Sequence, residues 1–278
     1  MSESRTLALL LVAPALALVA ALFLYPLGFS IVSAFSVPGG GFGLANFAKA
    51  FELYSVDIIY TLAIVTSATA LTGILALAIA GYLTMGETPW LVTGLAWLYR
   101  WPLFIPFIVA AQCMRTFLAK NGLMNNTAVS LGLLDPSQTV SLLDWRGVLI
   151  TFVWKQTPFV ALLLAGAMAS LDRGTIEAAR NLGASKLRTL IEVVIPQVMP
   201  TLMVGSILSF VIMLSVLSVP MMVAGSQPTM LTVDMAFRIN AYGDYPVANA
   251  LGVISYLMTA VTAWIYLRHS VREQRAAP

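Results

Sequence analysis

Few residues of this chain belong to the types that carry out enzymatic or metal chemistry. One histidine, His269, and one cysteine, Cys113, occur among 278 residues. Because zinc, haem and iron–sulfur sites need several such ligands, none of these centres is expected. The sequence also lacks the Gly-x-x-x-x-Gly-Lys-Ser/Thr run that cradles nucleotide phosphates, so the chain is not expected to hydrolyse ATP by that route. A lone cysteine excludes an intrachain disulfide.

Three charged residues lie in or near apolar stretches and could contact a transported solute. Lys155 falls about seven residues into such a stretch, roughly 10 Å from its outer end at about 1.5 Å per residue. A lysine there either snorkels outward, pairs with a neighbouring group or lines a cargo path. Asp234 and Arg238 are four residues apart and would pair on a helix, although Asp234 could instead receive a cation. Lys155 and Asp234 are therefore candidate translocation-path residues.

The elements that must position these side chains are membrane-spanning helices. Hydrophobic residues make up 59% of the sequence and charged residues 10%, whereas about 25% of residues are charged in soluble domains. A spanning helix needs about 20 mostly apolar residues. Six stretches meet or approach this length, at about 7–35, 58–85, 95–118, 148–171, 198–223 and 248–267. The predicted fold is an all-α, polytopic bundle of six transmembrane helices in a single domain, 1–278.

The distribution of positive charge predicts how the bundle is oriented, because short cytoplasmic loops collect lysine and arginine. One assignment of loops groups most of the cations on one side: Arg5, Arg100, Arg173, Arg180, Lys186, Arg188, Arg268, Arg272 and Arg275. That side, with both termini, is predicted to be cytoplasmic. The net charge of +3 is explained in this way and gives no reason to expect nucleic-acid binding. A cleaved signal peptide is the alternative for the first stretch, which is longer than the usual core of about 7–15 residues.

The segment between the fourth and fifth stretches, residues 172–196, is longer than a turn requires and is predicted to form two short helices. Thr175 can cap the first helix, and Glu177 falls in its first turn, where a negative charge favours the helix dipole. Gly183 offers a left-handed stop at the end of this helix. Ser185 can cap the second helix. An amphipathic element of this size indicates contact with another molecule.

Two details of the second short helix complete this prediction. Its apolar positions, including Leu187 and Val194, recur with helical spacing, and Pro196 marks a break before the fifth span. The alternative to a docking element is an amphipathic helix that lies on lipid headgroups.

The pattern Glu177-Ala178-Ala179, then Gly183, then Ile195-Pro196 resembles the EAA loop of permease subunits of binding-protein-dependent type I ABC importers, the MetI-like family. In that family the loop forms a cytoplasmic coupling helix that docks in a cleft of the ATP-binding subunit. The resemblance implies the same role for the corresponding residues: Glu177, Ala178, Ala179, Arg180, Leu182, Gly183, Ala184 and Leu187. The two alanines would allow close docking, and Glu177 could meet a cation on the partner.

Further matches extend the resemblance over nearly the whole chain. They comprise Tyr25-Pro26, Ser33, Phe35, Leu44, Asn46, Phe47, Gly122-Leu123-Met124-Asn125 and Trp154-Lys155-Gln156-Thr157-Pro158-Phe159. The resemblance implies an N-terminal helix at about 7–35, core helices within 58–267, a coupling loop at 172–196 between helices 4 and 5, and location in a bacterial inner (plasma) membrane.

The resemblance also implies partners and a division of labour. Two ATP-binding subunits would use ATP and Mg²⁺, while this chain would bind no cofactor and would not be an enzyme. A second permease subunit, identical or homologous, would complete the pathway in the membrane lipid. A periplasmic or lipid-anchored solute-binding protein would deliver the cargo. Alternating access would follow from closure of the ATP-binding subunits.

Two features of the sequence favour different cargoes. The stretch from Pro220 through Gly225-Ser226-Gln227 to residues 242–248 resembles polyamine-type permeases and favours a polyamine-like small polar solute. The run at 154–159 resembles sugar permeases, and Lys155 would repel a polycation. A secondary transporter is opposed by the absence of acidic pairs inside the spans and of an inverted repeat. A membrane enzyme is opposed by the isolation of His269.

Overall fold

The computed structural model describes residues 2–37, 39–224 and 227–276, which are mainly helical. Within these residues the extended pairing is limited to an isolated bridge between Ser36 and Phe42. The all-α fold predicted from the sequence is therefore confirmed. The chain divides into two compact units, Met1–Ser55 with Asp234–Leu257, and Val56–Val233 with Met258–Pro278. The single permease domain inferred from the sequence stays a prediction, as does the cytoplasmic location of both termini.

The first unit contains the N-terminal helices and parts of three others. Its elements are α1 (Ser2–Val19), a π-helical turn (Ala20–Leu24), α2 (Tyr25–Phe35), the start of α3 (Ala45–Met85), the end of α12 (Leu231–Tyr242) and the start of α13 (Tyr245–Ala276). Asn249 in α13 accepts a hydrogen bond from the Ser30 hydroxyl at 2.8 Å and donates one to Ser33 at 3.0 Å. Asn46 donates to the carbonyls that end α2. Ser33 and Asn46, two of the residues that carry the family resemblance, thus make hydrogen bonds within this unit.

The second unit contains the remaining helices. They are α4 (Pro89–Leu98), a 3₁₀ turn (Trp101–Phe104), α5 (Phe107–Leu118), α6 (Leu123–Ser130), a 3₁₀ turn (Pro136–Gln138), α7 (Trp145–Ala169), α8 (Arg173–Asn181), α9 (Lys186–Thr189), a π-helical turn (Leu190–Val194), α10 (Ile195–Ser215) and α11 (Ser218–Val223).

Among the described residues, five continuous helices are long and apolar enough to cross a membrane. They cover Leu11–Phe35, Ala45–Met85, Trp145–Ala169, Lys186–Ser215 and Tyr245–Ile265. A bent pair, Pro89–Phe104 with Phe107–Ser130, would be a sixth span if it crosses as one unit. The polytopic helical bundle is thus confirmed, whereas the number of six spans stays a prediction.

The third predicted span, 95–118, is not the continuous helix that the sequence suggested. The chain leaves helical geometry at Ile105, where ψ is 119°, and at Pro106, where ψ is 148°. The chain direction bends by 108° between the two helical parts on either side. Pro106 has no N–H to donate and restricts the residue before it, which explains the break at this point.

Pro26 and Pro196 show how the other spans accommodate proline. Each lies at the start of an α-helix that directly follows a π-helical turn, Ala20–Leu24 or Leu190–Val194. In a π turn the N–H donates to the carbonyl five residues back, which widens the helix by one residue. Ile195 donates to the Leu190 carbonyl in this way. The break predicted at Pro196 is therefore wrong, because the turn absorbs the proline and the helix continues from Lys186 to Ser215.

Helices α3, α7 and α10 supply the core of the second unit, in two apolar clusters. One is built around Val65, Phe152 and Met213, and the other around Ala76, Leu164 and Val198. Alanine and glycine on these helices allow the backbones to approach closely, as expected for helices packed in lipid. Replacing Gly205 by a larger residue would bring its Cβ to 3.3 Å from Val160. This packed core positions the loop between α7 and α10.

Candidate coupling site

Helix α8 begins with a side-chain cap, although the capping residue is not the one predicted. The Asp172 carboxylate accepts a hydrogen bond from the N–H of Gly174 at 3.0 Å. Asp172 therefore occupies the N-cap, and Thr175 lies in the first turn of the helix. Glu177 lies one turn further along than predicted, so its charge is not in the first turn. Aspartate also places a negative charge where the helix dipole favours it.

The end of α8 agrees with the sequence prediction. Gly183 has a φ of +87°, in the left-handed region that favours glycine. Its N–H donates to Arg180 at 3.0 Å, and the N–H of Ala184 donates to Ala179 at 3.1 Å. These two bonds form a Schellman motif, which ends the helix and reverses the chain. Gly183 is thus confirmed as the residue that stops α8.

The second short helix also starts as predicted. The Ser185 hydroxyl accepts a hydrogen bond from the N–H of Arg188 at 3.3 Å, which caps α9. Arg188 also forms an ion pair with Glu192 at 2.9 Å, one helical turn further on. Helix α9 runs through a π turn into α10, so the capped end is continuous with a helix long enough to span the membrane.

Glu87, in the loop between α3 and α4, forms ion pairs with the predicted coupling loop. Its Oε1 lies 2.8 Å from the Nζ of Lys186 and 3.1 Å from Nη2 of Arg180. One carboxylate thus joins α8 and α9 to the end of α3. The hydrogen bond from Lys186, and then that from Arg180, lowers the pKa of Glu87 below its ordinary value. Glu87 escaped the sequence reasoning because it is distant in the chain from both cations and belongs to no motif.

Most of the predicted coupling residues face outward. Glu177, Ala178, Arg180, Leu182, Gly183 and Leu187 are exposed, while Ala179 and Ala184 are half-buried. Leu182 is 89% exposed and Leu187 65% exposed. Two exposed leucines thus lie on the same loop as exposed charged side chains, a combination found at protein interfaces. We refer to Leu182, Leu187 and the exposed face of α8 as the docking surface.

A cavity of about 440 Å³ lies between α8 and the ends of α3 and α7. Its lining includes Leu83, Met85, Glu87, Met168, Arg173, Ile176, Glu177 and Arg180. Ile176 contributes to the apolar cluster around Leu164, so it holds α8 against the bundle. Ile176 and Ala179 are half-buried, and the other residues of α8 are exposed.

The two candidate path residues lie in separate compact units, each described by itself. Lys155 is 7% exposed, and its Nζ donates to the carbonyl of Pro102 at 2.6 Å. Asp234 is also buried. Arg238 donates to the Tyr54 hydroxyl at 2.5 Å and lies 3.4 Å from Asp244. The pairing of Arg238 with Asp234 and the roles of Lys155 and Asp234 in a translocation path stay predictions.

Parts of the earlier interpretation lie outside the described residues. Gly225 and Ser226, in the stretch that resembles polyamine-type permeases, are not described, and neither are the side chains of His269 and Arg272 in the basic tail. Over the described residues, histidine, cysteine and carboxylate side chains form no group that could hold a metal ion.

Comparison with protein families identifies the class. Residues 5–272 match the family of binding-protein-dependent transport system inner membrane components. Because the match covers almost the whole chain, this protein belongs to that family. The chain is therefore a multi-pass inner-membrane permease subunit of an ABC importer. It is not an enzyme, because such transport systems hydrolyse ATP on separate subunits.

Individual relatives transport different kinds of solute. The chain is 26% identical over 286 residues to the sulfoquinovosyl glycerol transport system permease protein SmoG of Agrobacterium fabrum, covering 95% of this chain and 90% of that protein. It is also 26% identical over 172 residues to the spermidine/putrescine transport system permease protein PotB of Escherichia coli. That second match covers 60% of this chain and 62% of PotB.

The fold is similar to that of another protein whose structure has been solved. The chain matches a bacterial ABC transporter involved in the import of the acidic polysaccharide alginate, with a TM-score of 0.81 and 19% identity. The match covers 97% of this chain and 96% of that chain. At this identity the likeness shows the fold and leaves the cargo open.

Proposed function

We propose that this subunit forms half of a translocation pathway and is driven through the docking surface by a partner ATP-binding subunit. The observation that carries the proposal is the exposure of Leu182 and Leu187 on a capped, ion-paired loop. Apolar side chains on a membrane protein's aqueous loop are costly to leave in water unless a partner covers them. The family of the chain supplies a partner of the right kind.

The proposed complex contains two ATP-binding subunits, a second permease subunit and a solute-binding protein. One of the solved structures that the chain resembles is the alginate transporter in complex with its alginate-bound periplasmic protein, with a TM-score of 0.77. Another is the MetNI methionine ABC transporter, with a TM-score of 0.61. ATP and Mg²⁺ would be used by the ATP-binding subunits, and closure of these subunits would move α8 and α9 together with α10.

We further propose a saccharide-like cargo. A sugar is held by aromatic faces and neutral hydrogen-bonding groups, and the second unit exposes Trp90, Trp97 and Trp101. The SmoG match, which spans most of both chains, is to a permease for a sugar derivative.

A polyamine-like solute, which the sequence favours, is the second candidate. The first unit contains a cluster that could recognise amines, since Tyr54 and Tyr242 place aromatic rings beside the cationic Arg238 at 5.3 and 5.1 Å. Such rings also bind ligand cations. However, Asp244 is already paired with Lys49 at 2.8 Å, so a polyamine would have to displace that lysine.

Both proposals are tested on the complex co-purified from its native membrane. Mass analysis of the subunits should identify an ATP-binding subunit and a second permease, whereas recovery of the chain alone would refute the proposed assembly. In proteoliposomes that contain the solute-binding protein, ATP hydrolysis is then measured with maltose, alginate oligosaccharides, spermidine and putrescine. Stimulation by a saccharide supports the first cargo, and stimulation by an amine supports the second.

The coupling role has its own test with a matched control. Glu177→Lys should leave assembly intact and abolish stimulated hydrolysis, because it reverses the charge on the docking surface. Lys120→Glu, also a charge reversal on an exposed loop residue of the same unit, should leave stimulation unchanged. Equal stimulation in both variants would contradict the assignment of α8 as the coupling helix.

A further inference from the structure

The bend between the two parts of the broken helix leaves the Pro102 carbonyl with a single, long backbone hydrogen bond. In a continuous α-helix the Pro102 carbonyl would accept the N–H of residue 106, but Pro106 has none. The N–H of Ile105 reaches this carbonyl at 3.3 Å, a long hydrogen bond. Pro102 is buried, in an apolar segment. Broken helices at membrane depth are tolerated only where neighbouring groups satisfy the freed carbonyls.

Lys155 supplies a second donor to this carbonyl from the middle of α7. Its Nζ lies 2.6 Å from the Pro102 oxygen and donates a hydrogen bond to it. The same Nζ lies 5.0 Å from the centre of the Phe107 ring, within the range of a cation–π interaction. Pro102 precedes the bend and Phe107 follows it. A single ammonium group therefore contacts both sides of the bend.

We propose that Lys155 is a positioning residue that holds the two parts of the broken span at their bend. Its Nζ contacts the carbonyl end of the Trp101–Phe104 turn. A charge at membrane depth is costly unless neighbouring groups interact with it. The carbonyl and the aromatic ring offset that cost, so the buried position of Lys155 needs no outward snorkelling.

The bend determines the shape of a groove against α7. This groove encloses about 800 Å³ and is lined in part by Trp97, Trp101, Pro102, Trp154 and Thr157. Pro102 and Trp101 belong to the turn that Lys155 holds, while Trp154 is its neighbour in α7. Loss of the Lys155 hydrogen bond would therefore remove a contact between α7 and the Trp101–Phe104 turn, which line opposite sides of the groove. This role differs from direct cargo contact, because 7% exposure leaves the ammonium group little surface for a solute.

The test compares Lys155→Met with Lys120→Met, a matched lysine on an exposed loop, in the assembled complex in lipid nanodiscs. Hydrogen exchange of backbone amides in residues 101–107 should rise roughly tenfold in the first variant, because loss of the Lys155 hydrogen bond favours local opening at the bend. The exposed Cys113 on α5 is a built-in reporter. Its alkylation rate by N-ethylmaleimide should change several-fold in Lys155→Met and stay constant in Lys120→Met.

A second substitution keeps the proposal testable if Lys155→Met fails to assemble. Lys155→Arg retains a charged donor, and its exchange in residues 101–107 should stay within about threefold of the unmodified protein. Unchanged exchange in Lys155→Met would overturn the proposal. It would equally be overturned if Lys155→Met altered maltose or spermidine uptake while exchange and Cys113 reactivity stayed constant, because that result would assign Lys155 to the cargo path.

Discussion

Helices α6 and α8 end in the same backbone motif but are held in different ways. At the end of α6, Gly132 has a φ of +68°, and the N–H groups of Gly132 and Leu133 donate to Val129 and Ala128. This is the Schellman pattern found at Gly183. In each case an exposed leucine precedes the glycine, with Leu131 68% exposed and Leu182 89% exposed.

The two helices differ in what anchors them to the bundle. Asn125 in α6 is 4% exposed, and its two amide N–H groups are shared among three backbone carbonyls, those of Ala119, Lys120 and Val140, at 2.9–3.2 Å. Helix α8 is instead joined to α3 by the exposed ion pairs of Glu87. Buried neutral hydrogen bonds resist salt, whereas exposed ion pairs are screened by it.

The comparison teaches that a helix stop of this kind does not identify a docking element. Both turns satisfy the same backbone requirement, and only α8 combines the turn with a charged rim and an ionic attachment. We infer that α6 is built to stay in place and α8 to transmit movement. Four substitutions test this difference, beginning with the largest expected effect, and a salt titration checks the last of them.

Replacing Gly183 with valine should give the largest loss of coupling. A β-branched residue at a φ of +87° costs about 1–3 kcal/mol, so the turn should change shape and displace the docking surface. Cargo-stimulated ATP hydrolysis should fall by at least about tenfold. Gly132→Val imposes the same backbone strain at α6 and should retain stimulated hydrolysis. Equal losses in the two variants would mean that the turns do not differ in function.

Replacing Leu182 with aspartate should weaken docking without changing the backbone. Covering a leucine contributes about 1.5–3 kcal/mol, which corresponds to a loss of roughly tenfold or more in the affinity of the ATP-binding subunit. Leu131→Asp is the matched control, because that leucine has a similar position and exposure. The measurement is retention of the ATP-binding subunit on the immobilised permease; comparable retention of the two variants would refute the prediction.

Replacing Asn125 with alanine should lower stability and leave coupling unchanged, unlike the two preceding substitutions. The loss of its hydrogen bonds should lower the free energy of unfolding by about 1–3 kcal/mol. The melting temperature of the purified complex should fall, while the ratio of stimulated to basal hydrolysis stays constant. A changed ratio at an unchanged melting temperature would show that α6 takes part in coupling.

Replacing Glu87 with glutamine should have the smallest effect, confined to the mobility of α8. In a Cys113→Ser background, a dye on Leu182→Cys reports this mobility by its fluorescence anisotropy. The lowered pKa of Glu87 means that its contribution is fully present above the ordinary glutamate pKa and is lost as pH falls through the lowered value. Anisotropy should therefore drop only below about pH 4.3, and Glu87→Gln should lack that transition.

High salt provides an independent check on the same ion pairs. Anisotropy at residue 182 should fall as the salt concentration rises and should be less sensitive in the Glu87→Gln variant. The same dye on Leu131→Cys should report no salt dependence, since α6 carries no charged residue. Salt sensitivity of equal size at both positions would refute the proposed difference in attachment.

Much of the architecture could be predicted because apolar stretches and turn residues act locally. A run of about 20 apolar residues has to form a helix in lipid, where each backbone group must be satisfied within its own segment. The stop at Gly183 and the cap at Ser185 likewise depend on a few neighbouring residues. The N-cap at Asp172 was missed because aspartate and threonine are both good caps, and the choice depends on backbone geometry.

The contacts between residues that are distant in the sequence were visible only in the tertiary structure. The hydrogen bond of Lys155 to Pro102 and the ion pairs of Glu87 join residues far apart in the sequence. No local spacing predicts these contacts, because they exist only after the helices have packed. By itself the sequence determined the membrane bundle and the helix stop at Gly183, since apolar length and backbone sterics are local properties. The bend near Pro106, the anchors of α6 and α8, and the place of Lys155 came from the packing.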